Sequence, residues 1–254
     1  MAENKLPGEF HGIKAEVVSH SVWDVPANAL ILRLPRLTPV LSGRQGYRRV
    51  SAICSLYMPE PLWPHLHRGA GSWKGYFREV LRGAVEQFEL PLSRVAVLST
   101  GVNMEQLAWD EESCGDEWAL AFVTAGVYSN AMRLGQEKKC AARGVKKPGT
   151  INTVLFTSAT LSPAMLAASF ITITEAKVVA LEELDIKSAY SPHLNATGTG
   201  TDQVVAVSGD GPRASYVGGH TMLGELMARA VTRATVQAIQ NRWAATGERA
   251  HKSV

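Results

Sequence analysis

The chain has 254 residues, 46% of them hydrophobic, with a formal charge of +3 and a pI near 8.8. That length and apolar content suffice to bury one large core or two tightly joined ones. The charge is too mild and too scattered for the concentrated basic footprint of a nucleic-acid binder; it gathers only around Arg33, Arg36, Arg44, Arg48 and Arg49 and in a patch from Lys138 to Lys147. The three cysteines (Cys54, Cys114, Cys140) lack CxxC spacing, which argues against a disulfide framework or a structural zinc site. The N-terminal Met-Ala-Glu-Asn-Lys-Leu-Pro-Gly has no apolar h-region, and no stretch reads as the roughly 18 apolar residues of a membrane span. A cytoplasmic protein without membrane contact is the expectation.

In chain order, residues 1–12 read as a loose tail. Lys14–Ser19 and Ala29–Leu34 read as strands, interrupted at Asp24-Val-Pro26 and ended by Pro35. Val50–Tyr57 is a third strand. A Pro-rich segment follows, with Trp63, His65 and His67, read as a solvated loop because no third metal ligand stands nearby. Ser72–Phe88 has helical spacing behind a Ser72 cap, and Arg94–Ser99 is a strand. Asn103–Trp109 is expected as a short helix, and Glu111, Glu112, Asp116 and Glu117 as a solvated acidic turn. Trp118–Val127 and Thr150–Phe156 are strands. A helix runs from Ala164 to about Leu184 behind Ser162-Pro163, and another covers Leu223–Thr246. The fold class is α/β or α+β, mixed sheet layers covered by long helices, with the topology left open. One domain is expected over 13–247, with a second loose tail at 248–254.

Four short phrases carry the chemistry: Thr124-Ala-Gly-Val127 with Asn130, Gly149-Thr-Ile-Asn-Thr153, Thr174-Glu-Ala-Lys177 and Ala196-Thr-Gly-Thr-Gly-Thr-Asp202. In the last, glycines let the backbone turn while hydroxyls and amide N–H groups converge. It has neither the strand-before, helix-after context of a dinucleotide fingerprint nor the ending of a P-loop. Cleaving an amide needs a nucleophile, donors for an oxyanion and a proton for the leaving amine. The hydroxyls of Thr197, Thr199 and Thr201 are candidate nucleophiles or donors, and the backbone from Gly198 through Gly200 to Thr201 is a candidate oxyanion site. Glu175 and His220 are candidates for proton transfer, and Asn130, Thr150 and Asn152 for holding substrate amides. Asp202, which closes the loop, is a further catalytic candidate; it and Asn152 are equally suited to satisfying turns, and His220 to opening the last helix. Residues i and i+2 on a helix point roughly 200° apart, so Glu175 and Lys177 must have different partners: the site for Glu175, a structural carboxylate or solvent for Lys177. Gly149-Thr150 and Gly200-Thr201 are formally suitable junctions for a self-cleaving hydrolase with an N-terminal threonine.

With Gly218-Gly-His-Thr221 and Gly224-Glu225, these phrases resemble the adenosylcobinamide amidohydrolase family from roughly Thr124 to Ile239. Upstream, Leu41-Ser42-Gly43 followed by Arg48-Arg49 is similar to the family's Leu-Ser phrase, while Cys54 and Ser55 stand where amide-bearing residues are expected. The resemblance implies hydrolysis of the aminopropanol amide of adenosylcobinamide to adenosylcobyric acid in corrinoid salvage, with the corrinoid as substrate. No cofactor is expected to be required and no metal ligand is assigned; a metal requirement is left open. Homo-oligomerisation is left open. A corrinoid-binding protein without turnover, and an amidohydrolase of another amide, are the rival readings. Trp63 and Trp73 are candidates for packing against the corrinoid.

Overall fold

The computed structural model describes residues 8–63, 82–83, 85–136 and 149–248. His65, His67, Trp73, Cys140, the Lys138–Lys147 patch, the distal parts of both expected tails and most of the expected 72–88 helix lie outside them. The chain is mixed α+β and divides into two compact units, residues 1–39 with 48–105, and 40–47 with 106–254.

The first unit is built on antiparallel pairing. β1 (Glu9–Phe10) pairs with β2 (Ile13–Val22), which pairs with β3 (Val25–Ser42); β4 (Gly46–Tyr57) pairs with β3 and, in parallel, with β5 (Val95–Thr100). Trp23 and Asp24, both at positive φ (48° and 62°), form the two-residue turn between β2 and β3, the turn geometry that matches strand twist. The sequence reading broke the chain at Asp24-Val-Pro26 and stopped the strand at Pro35; β3 instead runs through Pro26, Pro35 and Pro39. Pro35 and Pro39 fall between the last β2 pair (Lys14↔Arg33) and the first β10 pair (Val207↔Val40), where the strand changes neighbours and a missing N–H costs least. The core of this unit packs Ala29, Ile31, Ala52, Cys54, Leu56, Val85 and Val97. Trp63 covers a smaller cluster of Val22, Ala27, Met58 and Leu62, its indole N–H donating to the Met58 carbonyl (2.8 Å). The stretch expected as a helix over Asn103–Trp109 is a 3-10 turn at Met104–Gln106, and Ala108 already begins a strand.

The second unit has the strand order β3–β10–β8–β7–β6, with β6 Ala108–Cys114, β7 Glu117–Ala125, β8 Ile151–Thr157 and β10 Gln203–Val207. β9 (Ala159–Thr160) and β11 (Gly211–Arg213) form a separate parallel pair. α1 (Pro163–Glu183) is capped by Ser162, whose hydroxyl accepts from the Met165 N–H, and α2 (Met222–Thr246) by Thr221, which accepts from Gly224. α2 packs on β6 and β7, and α1 packs on α2 and β10. α1 is long and apolar enough to cross a membrane by length and composition, contrary to the sequence reading. Its run of Ala, Ile and Val instead contributes Leu166, Ile173, Ala176 and Leu181 to the core, beside Val231, Ala234 and Ile239 of α2. The acidic stretch is no simple solvated turn: Glu112 sits on β6 with its side chain 13% exposed, paired with Arg233 of α2.

This topology determines where the phrases meet. β8 and β10 are parallel neighbours joined by the α1 crossover, so both begin at the same end of the sheet, with Gln203 opposite Asn152. β7 is antiparallel to β8, so its last residues, Thr124 and Ala125, lie beside Asn152 and Ile151. The end of β7, the start of β8 and the loop before β10 therefore come together.

Candidate functional site

The 196–202 loop is held from both sides. Met132 forms an isolated antiparallel bridge with Gly198, donating its N–H to the Gly198 carbonyl (2.8 Å), and its own carbonyl accepts from Thr197 N (2.8 Å). The Thr197 hydroxyl accepts from Leu134 N (3.0 Å), which makes Thr197 a staple of the loop. Gly200 sits at φ +80°, a conformation that favours glycine, and a Cβ there would meet the Met132 sulfur at 2.7 Å.

Asp202 organises what the loop encloses. Its Oδ2 accepts from Lys177 Nζ (2.7 Å), with the two side chains only 13% (Lys177) and 16% (Asp202) exposed. Its Oδ1 accepts from the Thr199 hydroxyl (2.5 Å) and from the Ile151 N–H (3.1 Å), and Thr199 N is shared between both oxygens (3.3 Å each). Four donor groups on one carboxylate make Asp202 a positioning group that locks the loop, α1 and the start of β8 together. Gly198 is required by the close approach, since a Cβ there would lie 2.4 Å from Asp202 Oδ2 and 2.9 Å from Lys177 Nζ. Because Thr199 N is committed to Asp202, the loop backbone is a poorer oxyanion site than its glycines suggested.

A different carbonyl gathers donors. Gly149 O accepts from the Asn130 side-chain amide and from the Thr201 hydroxyl (3.1 Å), while the Thr150 hydroxyl donates to the Thr201 carbonyl (2.7 Å) and lies 3.4 Å from Asn152 Oδ1. Thr150, Asn152, Asn130 and Thr199 are buried, whereas Thr201 and Gly200 face solvent. Among the described residues, Asn130 Oδ1 and the Thr124 hydroxyl are buried without a hydrogen-bond partner. Of the residues singled out from the sequence, the structure thus brings together Asn130, Thr150, Asn152, Thr197, Gly198, Thr199, Gly200, Thr201 and Asp202.

Glu175 and His220 are not among them. Glu175 is exposed and lines a groove between α1 and α2 with Val179, Glu225 and Arg229. The helical offset that separates it from Lys177 is the reason: Lys177 reaches the site, so Glu175 faces away. His220 is exposed, its ring edge-on to Tyr216, and lines a shallow pocket with Glu112, Ser113 and Cys114. Those residues flank the start of β7, whose end supplies Thr124, and a strand of that length spans roughly 27 Å. Lys177 does meet a structural carboxylate, as the sequence allowed, and what the sequence did not identify is that this carboxylate is Asp202. The signal that could have named it is a lysine in an alanine-rich helix followed by an aspartate closing the next loop.

The family profile described as adenosylcobinamide amidohydrolase matches residues 14–247. An uncharacterized protein of Methanocaldococcus jannaschii is 38% identical over 224 residues, 83% of this chain and 85% of that one. A Methanosarcina mazei protein named adenosylcobinamide amidohydrolase is 35% identical over 144 residues, 53% of this chain and 60% of that one. Among solved structures, a Pyrococcus horikoshii protein (TM-score 0.40, 12% identity, 85% of this chain and 76% of that one) and a Burkholderia β-aminopeptidase (TM-score 0.42, 14% identity, 85% and 78%) are similar only at a level too slight to bear on activity. With its motifs in order and nearly its whole length matched, the chain belongs to the adenosylcobinamide amidohydrolase family.

Proposed function

We propose that this protein hydrolyses the aminopropanol amide of adenosylcobinamide, releasing adenosylcobyric acid, as a cytoplasmic step of corrinoid salvage. Family membership supports the reaction class, and the name of the Methanosarcina relative supports the substrate. The observation that carries the reading is the convergence, at one end of the sheet, of paired side-chain donors on a single carbonyl position with a hydroxyl beside it. Amide hydrolysis needs that combination: a hydroxyl to add to the carbonyl carbon, and fixed donors for the oxygen as it becomes negative. The Lys177–Asp202 pair keeps the donors in place while charge develops, so little reorganisation accompanies the step. The corrinoid is the substrate, and the reaction runs without a metal.

Purified protein incubated with adenosylcobinamide, with and without chelator, is expected to yield adenosylcobyric acid and free aminopropanol by chromatography and mass in both samples. A changed corrinoid absorption spectrum without product would instead make this a corrinoid-binding protein. Neither product nor spectral change would assign the site to another amide.

A further inference from the structure

The Gly149–Thr150 peptide bond lies inside the site, and its carbonyl is the one that collects donors. Both bonds to Gly149 O come from side chains on other segments, Asn130 Nδ2 and Thr201 Oγ1, so neither belongs to the sheet ladder. The following residue is a threonine, whose Oγ1 reaches the preceding carbonyl carbon through a five-membered ring by covalent connectivity alone. That hydroxyl is buried and oriented by the Thr201 carbonyl at 2.7 Å, on the same loop that supplies one oxyanion donor. Gly149 is closely seated: a Cβ there would lie 2.3 Å from the Gly126 carbonyl oxygen and 2.7 Å from Asn130 Oδ1. Among the described residues Asn130 Oδ1 is buried without a partner, which leaves an acceptor beside this bond.

We propose that the chain cleaves itself between Gly149 and Thr150, and that the freed Thr150 is the nucleophile of the amidohydrolase. In the first step Thr150 Oγ1 adds to the Gly149 carbonyl carbon, and the oxygen takes its negative charge between Asn130 Nδ2 and Thr201 Oγ1. The C–N bond then breaks as the nitrogen receives the hydroxyl proton, leaving an ester between Gly149 and Thr150. One water hydrolyses that ester, giving a Gly149 carboxylate and returning the Thr150 hydroxyl beside a new α-amine. Such an amine titrates near pH 8, which suits it to take the proton of its own hydroxyl. The place left by the Gly149 carbonyl, with its two donors, then receives the amide carbonyl of the substrate. The self-cleavage stands on the geometry alone; the role of Thr150 toward an external amide rests on the function proposed above.

The test is the intact mass and N-terminal sequence of the purified chain, with turnover of adenosylcobinamide measured on the same sample. Two fragments, residues 1–149 and 150–254 with Thr150 as a new N-terminus, are expected, together with a single uncut chain for Thr150→Ala and restored cleavage for Thr150→Ser. A wild-type chain that stays at 27.4 kDa, or a Thr150→Ala chain that is still cut at this bond, overturns the proposal. An uncut chain that turns over adenosylcobinamide would refute self-cleavage and leave the function standing. A cut chain without turnover would do the reverse.

Discussion

Two residues show how far local environment departs from residue type. The sequence left Lys177 to solvent or to a structural carboxylate, and the structure takes the second course: its ammonium is paired with Asp202 in a nearly buried contact. Removing one partner of such a pair leaves the other charge desolvated, so Lys177→Met is expected to lower unfolding free energy by about 3 kcal/mol. Urea denaturation checks this, and a shift within error of zero would mean that water screens the pair. Asp110 behaves in the opposite sense. Burial, reinforced by repulsion from Glu112 and Glu111 and partly offset by Arg233, raises its carboxyl to about 6, and among the described residues one of its oxygens is buried without a partner. An unfolded aspartate titrates near 3.9. As pH rises from about 4 to about 6 the unfolded chain therefore loses this proton first, and Asp110 progressively destabilises the fold, fully so above pH 6. Asp110→Asn should raise Tm at pH 7 more than at pH 4, by calorimetry; an equal change at both would locate the effect elsewhere.

At the scale of elements, the site is a product of strand order and helix phase. The glycine–threonine phrases were legible because turns and close approaches demand particular residues; α1 was legible from its Ser162-Pro163 start and α2 from its apolar spacing, while the Thr221 cap of α2 was not read. The continuity of β3 through three prolines was not, because the cost of a missing N–H depends on which neighbour the strand has at that point. Nor was the separation of His220 from the loop, since a histidine after two glycines reads the same at either end of a sheet. Gly198 makes the dependence on close approach testable. A methyl group there meets the Asp202 carboxylate and the Lys177 ammonium, so Gly198→Ala should cost about 1–3 kcal/mol of stability and displace the donors. Misplaced catalytic groups cost on the order of 100-fold, and kcat/KM for adenosylcobinamide should fall by that much. Wild-type turnover in this variant would show that the pair is not needed for catalysis.

For the whole molecule, the position of the proposed cut has a mechanical consequence. Residue 150 directly precedes β8, which pairs with β7 on one side over seven residues and with β10 on the other over five. β6 and β7 belong to the first fragment, and α2, which packs on both, to the second. A cut chain should therefore elute from size exclusion under native conditions at the same volume as the uncut Thr150→Ala variant, and separate into two pieces only in denaturant. Dissociation without denaturant would mean that these contacts do not hold the fragments together.

By itself the sequence determined the existence and type of most elements, the family, and the set of small polar residues from which the site is built. Each of those is written in local signals: caps, apolar spacing, glycines where the backbone must turn. Only the tertiary structure decided which of those residues work together. A parallel β8–β10 pair and an antiparallel β7–β8 pair bring the starts and ends of three distant segments to one place. The phase of α1 then turns Lys177 toward Asp202 and Glu175 away. Register and helix phase are relations between segments, and no single stretch of sequence carries them.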